Sequence, residues 1–252
     1  MVRSTQASGT FARALTGGRG ASERNLFLAL LATLILWNLP YGYIALYPFK
    51  VFATWLHEMS HGLLMLATGA GLDRLQIFRD TSGLAHPEYG VGRLAQAAIS
   101  SAGYLGTATF GALFLIAGRT ARRSRFVLLG IGLAMAVSAA LWVRNPFGLV
   151  AVLGLGATFV ALARLASDGM AHFLVQFVAA QSCINAVLDI RVLFGSTMLV
   201  DGQPVGRSDA DTMAQVLGAP PMIWALFWLG YSFTLFYLAL RWLRRSQGSA
   251  SM

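Results

Sequence analysis

The sequence predicts an all-α integral membrane protein of six to seven transmembrane helices, with a short hairpin-like element after its second apolar run. Three observations carry this. Of 252 residues, 56% are hydrophobic and only 12% are charged, about half the charged share of an ordinary soluble domain. Mean hydropathy is +0.63. The apolar residues also fall in long runs, and in lipid only a helix satisfies every backbone N–H and C=O within one segment.

About 20 apolar residues cross the hydrocarbon of a bilayer as a helix. Seven runs approach that length: Leu26–Tyr47, Val51–Ala70, Leu94–Ala117, Phe126–Val143, Pro146–Leu162, Met170–Phe194 and Met222–Leu240. Pro40 is expected to kink the first, because proline lacks the N–H a helix interior needs. Trp37, Trp142, Trp224 and Trp242 fall near run ends, where indole rings favour the membrane interface. Residues 1–25 hold Arg3, Arg13, Arg19 and Arg24 among Ser, Thr and Gly. They read as a disordered basic arm without a signal-peptide cleavage pattern. Residues 26–243 form the membrane domain and 244–252 a short tail.

The 19 basic residues outnumber the 10 acidic ones, giving a formal charge of +9. They cluster between apolar runs, as at Arg119–Arg125 and Arg241–Arg245, which suits a multi-pass protein of the cell membrane lying between anionic lipid leaflets, and not a nucleic-acid binder. By the positive-inside rule both clusters, like the N-terminal arm, belong on the cytoplasmic side. The single cysteine, Cys183, excludes an intrachain disulfide and a cysteine-rich metal module.

Between the second and third runs, Leu75-Gln76-Ile77-Phe78 has strand character, Asp80-Thr81-Ser82-Gly83 signals a turn, and Leu84-Ala85-His86 can return. Between the last two runs, Ser208-Asp209-Ala210-Asp211 reads as a helix start, with Ser208 as cap and two acids favoured by the dipole. A cation site at Asp209 and Asp211 is the lesser alternative, because capping already accounts for both. In the third run, Ala102-x-x-x-Gly106 and Thr107-x-x-x-Gly111 form a small-residue packing face, expected against the second helix. Gly103 and Gly106 are expected to leave space there for a substrate.

The second run carries the chemistry: His57-Glu58-Met59-Ser60-His61. Residues four apart share a helix face, so both imidazoles can bind one zinc ion, and Glu58 can take a proton from water as general base. Composition alone would give about 0.0007 occurrences of this pattern in the chain. Two interfacial histidines beside a glutamate are the plainer reading, but three ionisable groups in five residues of an apolar helix are costly without a metal or a water-filled cavity. Two histidines leave a zinc site one protein ligand short. The candidates are His86, Glu88, His172, Cys183 and Asp189. Asp189 stands out because it lies within a long apolar run, and Asn185, one turn earlier, could orient its carboxylate.

These residues, together with Thr68-Gly69-Ala70-Gly71, Thr81-Ser82-Gly83 and Ser101-Ala102-Gly103-Tyr104-Leu105-Gly106, resemble the site-2 protease family of intramembrane zinc metallopeptidases, in its compact bacterial branch without a PDZ domain. The resemblance runs over roughly residues 50–240. It implies Zn²⁺ held by His57, His61 and Asp189, water activated by Glu58, a membrane-protein substrate, and a bacterial inner-membrane location. The chain departs from the family in having Ile190 after Asp189 where glycine is usual, no proline before it, and two extra apolar runs ahead of that helix. A non-proteolytic membrane protein, either a metal-binding transporter or an inactive homologue serving as a binding partner, is the alternative.

Overall fold

A computed structural model describes residues 21–189, 198–205 and 207–248. Its elements, in chain order, are α1 (Ala21–Asn38), α2 (Gly42–Ala67), β1 (Arg74–Ile77), β2 (Gly83–His86), α3 (Arg93–Ala117), α4 (Ala121–Leu141), α5 (Pro146–Leu165), α6 (Asp168–Asp189), β3 (Met198–Val200), β4 (Gln203–Val205), α7 (Asp209–Leu217) and α8 (Pro221–Gly248).

The first apolar run is not one kinked helix. Pro40 falls in a turn that ends α1, Tyr41 sits in the left-handed region at φ 65°, and α2 starts at Gly42. The proline cannot continue the hydrogen-bond ladder of α1, so the chain reverses instead of bending. α2 therefore absorbs the end of the first run and most of the second, and it tolerates Pro48 in its interior. At the ends, α1 begins at Ala21, inside the segment read as a disordered arm, and α8 continues to Gly248, past the start of the expected tail.

Among the described residues, four helices are long and apolar enough to cross a membrane: α3, α4, α5 and α8 up to Leu243. α1 contributes a shorter apolar stretch, Arg24–Leu36. α2 and α6 are as long as the others, but Lys50, His57, Glu58 and His61 in the one and Asp168, His172, Gln176 and Gln181 in the other dilute their hydropathy. Large apolar side chains such as Phe27, Leu133, Val150, Phe227 and Tyr237 face outward. So broad an apolar exterior fits a protein solvated by lipid.

α2 and α3 pack antiparallel, His61 meeting Ile99 near one end and Phe52 lying 6.5 Å from Phe114 towards the other. The small residues of α3 allow this. A Cβ on Gly106 would stand 2.4 Å from the Ser60 hydroxyl. α4 and α5 close on each other at Gly132 and Gly156, where a Cβ on Gly132 would meet the Gly156 carbonyl at 2.6 Å. At one end of the bundle the Arg119 guanidinium lies 5.2 Å from the Trp242 ring, so the two arginine clusters share that end.

The expected hairpin is present. β1 and β2 pair antiparallel with Leu75 opposite Ala85, around a turn that holds Thr81 at φ 69°. Its other edge is covered, because Leu75 N–H donates to Trp142 O and Arg144 N–H donates to Leu75 O. A second hairpin, β3–β4, was not foreseen. Its Asp201-Gly202 turn has positive φ at both positions, the geometry of a two-residue hairpin turn. The two turns are joined: Asp201 N–H donates to Ser82 Oγ (3.1 Å) and Gly202 N–H to Asp80 Oδ2 (3.3 Å).

Candidate metal centre

His57 and His61 project from one face of α2 towards α3, with ring centroids 4.8 Å apart. Gly103 makes that approach possible, since a Cβ there would lie 2.3 Å from His57 Nε2 and 2.5 Å from His61 Nε2. The expectation that Gly103 and Gly106 leave space for substrate is corrected: the space at Gly103 belongs to the imidazoles and that at Gly106 to Ser60. Gly103 lies ten residues into α3, about 15 Å along a helix long and apolar enough to span a membrane.

His61 Nδ1 is 2.6 Å from the Ile99 carbonyl oxygen. A carbonyl only accepts, so Nδ1 carries a proton and Nε2 is the nitrogen left to offer a lone pair to a metal in exchange for its own proton. Glu58 is buried on the neighbouring face, beneath β2. The Ala85 amide hydrogen-bonds its carboxylate. Gly83 leaves it room, since a Cβ there would stand 2.6 Å from Glu58 Cγ.

The third group at the site is Asp209. Its Oδ2 stands 3.2 Å from His57 Nε2 and 3.3 Å from His61 Nε2. Burial opposes its charge, but His61 and His57 outweigh burial and hold its carboxyl well below the usual carboxylate range. This corrects the reading of Asp209 as a first-turn acid explained by the helix dipole alone. The capping role falls to its neighbours: Ser208 Oγ accepts from Asp211 N–H, and Asp211 Oδ2 accepts from Ser208 N–H at 3.0 Å. The cap leaves Asp209 free to turn inward. α7 is fastened to α3 by the Arg93 guanidinium on the Val216 carbonyl and by Ser101 Oγ on Met213 Sδ (3.5 Å).

Among the described residues these three are the group of His, Cys, Asp and Glu side chains able to hold a metal ion, with donor atoms within 4.8 Å of one another. Donors bound about 2.0–2.1 Å from a tetrahedral zinc stand about 3.3 Å apart. The two measured separations match that edge, and two imidazoles with one carboxylate are a donor set zinc accepts. The residues fit the ion.

Three of the other third-ligand candidates lie elsewhere. His86 pairs with Gln76 (2.9 Å), Glu88 accepts from the Tyr89 hydroxyl, and His172 contacts Ser124 at 3.2 Å. Asp189 is the last residue of α6. The side chains of Asp189, Asn185 and Cys183 lie outside the described residues. Asp209 was passed over because a capping pattern accounts for it locally. Only the tertiary fold, which sets α7 against α3, shows its carboxylate reaching α2.

A cavity of about 230 Å³ opens over the three groups, lined also by Glu58, Leu84, Ala85 and Arg207. It can hold several waters, each taking about 30 Å³ in the liquid. The outer edge of β2 forms one wall. In the Leu75–Ala85 pair, Leu75 spends its backbone groups on Trp142 and Arg144, so the pair is of the non-hydrogen-bonded kind and Ala85 directs its own N–H and C=O outward.

No curated protein and no solved structure matches the chain. The Peptidase M50B-like family model matches residues 26–239, which takes in both histidines, the glutamate, both hairpins and Asp209. The chain belongs to the Peptidase M50B-like family, and so to the site-2 protease group of membrane peptidases.

Proposed function

We propose that this protein is a zinc-dependent endopeptidase that hydrolyses peptide bonds in or beside transmembrane segments of other membrane proteins, from a multi-pass position in the cell membrane. The third ligand is assigned to Asp209 in place of Asp189. The observation that carries the reading is the pair of separations, 3.2 and 3.3 Å, between Asp209 Oδ2 and the two imidazole Nε2 atoms. Bound there, zinc would polarise the scissile carbonyl and lower the pKa of water towards 7.

The protein's own groups supply the rest. Glu58, which is not among the donors, takes the proton of the attacking water on its carboxylate and passes it to the departing amine nitrogen. The fixed tautomer of His61 keeps its lone pair on the ligand side through turnover. A helical substrate must unwind to expose a carbonyl, because its backbone groups are otherwise satisfied internally. The outward edge of β2 offers the opened strand replacement partners by β-addition, with the Ala85 C=O as an acceptor there while the Ala85 N–H holds Glu58.

The test compares fragments of cellular membrane proteins between wild type and Glu58→Gln. Fragments present in wild type and absent in the variant support the reading. Zinc bound at full occupancy without any such fragment would contradict proteolysis and favour a non-proteolytic metal-binding protein. Deleting Leu84–Glu88 while cleavage of a membrane substrate stays unchanged would remove the β-addition step.

A further inference from the structure

His61 is oriented by a carbonyl, whereas the His57 ring makes its one hydrogen bond, among the described residues, through Nε2 to Asp209. That is the ligand-side nitrogen, so something else must set the plane of the His57 ring. The Tyr104 ring stands against it at 4.9 Å between centroids and 86° between planes. Tyr104 is itself stacked on Trp228 of α8, at 4.6 Å and 10°. The three rings form a ladder from α2 through α3 to α8.

Trp228 also belongs to the apolar cluster that contains Ala210 and Met213 of α7, with Tyr104, Ala97 and Ala225. Ala210 directly follows Asp209. Trp228 thus stands behind Tyr104, whose ring meets His57, and shares a buried cluster with the helix that carries Asp209. Trp228 is fully buried, and its Nε1 has no hydrogen-bond partner among the described residues. A buried N–H without a partner is unfavourable, so what the indole contributes here is its flat, rigid surface.

We propose that Trp228 is a positioning residue that sets His57 and Asp209 relative to each other, so that two donors from separate elements arrive at tetrahedral spacing. The proposal rests on the zinc reading above. It acts through ring packing and touches neither substrate nor metal.

The test measures zinc dissociation constants by chelator competition, and visible spectra after cobalt substitution, in detergent-purified full-length protein. Wild type and His61→Ala come first, and wild type should bind one metal ion that His61→Ala loses. If wild type binds none, the zinc reading itself fails, and the proposal falls with it for a reason visible before any Trp228 variant is made. Trp228→Leu should weaken zinc binding by about tenfold or more and alter the cobalt spectrum, the size of effect seen when groups that orient ligands are lost. Trp228→Phe, which keeps a stacking ring, should restore both. Phe159→Leu, at another buried aromatic in α5, should lower thermal stability without moving either. If Trp228→Leu does not fold, Tyr104→Leu carries the same expectation from the middle of the ladder. An unchanged zinc constant and cobalt spectrum in the folded Leu variant would overturn the proposal, as would equal weakening by Phe159→Leu.

Discussion

Asp209 Oδ2 lies 3.2 Å from His57 Nε2, although 152 positions separate the two residues. A short helix outside the spanning set thereby completes a site begun on a long one. The three side chains reach the same point from α2 and α7 because α3 carries glycine where the imidazoles pass.

Gly103 should therefore be the least replaceable residue of α3. Gly103→Ala places a methyl group within 2.5 Å of both imidazole Nε2 atoms, closer than packing allows without displacing rigid rings. Zinc occupancy should fall to a small fraction of wild type by elemental analysis. Gly106→Ala would also be tight, meeting Ser60 Oγ at 2.4 Å and Ser60 Cβ at 2.5 Å, so it should loosen the α2–α3 packing and lower thermal stability while touching neither imidazole.

The cap of α7 should be felt at the metal. Ser208→Ala removes an acceptor for Asp211 N–H and is expected to cost about 1 kcal/mol of local helix stability. Since Asp209 is the next residue, the variant should bind zinc more weakly in chelator competition while losing no ligand. Ser208→Asn, which can cap, should recover the affinity.

The contact between the two hairpin turns should depend on pH through Asp80. Burial slightly opposes its charge, but the Ser82 hydroxyl and amide and the Gly202 amide outweigh it, and the Asp80 pKa lies below its ordinary value. A carboxyl with a lowered folded pKa stabilises above its unfolded value, near 3.9, and loses that contribution as pH falls through the folded one. Protection of the 198–205 amides against hydrogen exchange, corrected for intrinsic rates, should hold at pH 5 to 7 and fall below about pH 4. Asp80→Asn should lower the protection at pH 7 and remove the dependence.

Much of this was legible in the sequence because it rests on local patterns. The His57–Glu58–His61 spacing needs only a helix, the first hairpin needs only its strand and turn residues, and the Ser208 cap shows in four consecutive residues. The remainder depends on which elements meet. Pro40 signalled a kink, whereas the left-handed Tyr41 beside it turns the chain. Asp189 stands out in the sequence because an acid in an apolar run is costly, and Asp209 ranks only as a lesser cation-site candidate because an acid in a helix's first turn is commonplace. What separates them is that α7 packs under α3, through Arg93, Ser101 and Tyr104, and no local pattern encodes that packing. Of the six to seven spans expected, length and apolar content identify four among the described residues. α2 and α6 are long enough, but they bury ionisable and amide side chains against their neighbours, so length and apolar content do not identify them as spans.

The central claim is that His57, His61 and Asp209 together hold one zinc ion, and its most direct measurement is zinc stoichiometry by elemental analysis of detergent-purified variants. The account predicts about one zinc per chain in wild type and in Asp189→Ala, strong loss in His61→Ala and Asp209→Ala, and a smaller loss in Asp209→Asn, whose amide oxygen remains a weak donor. Full occupancy in Asp209→Ala, with zinc lost from Asp189→Ala instead, would contradict it.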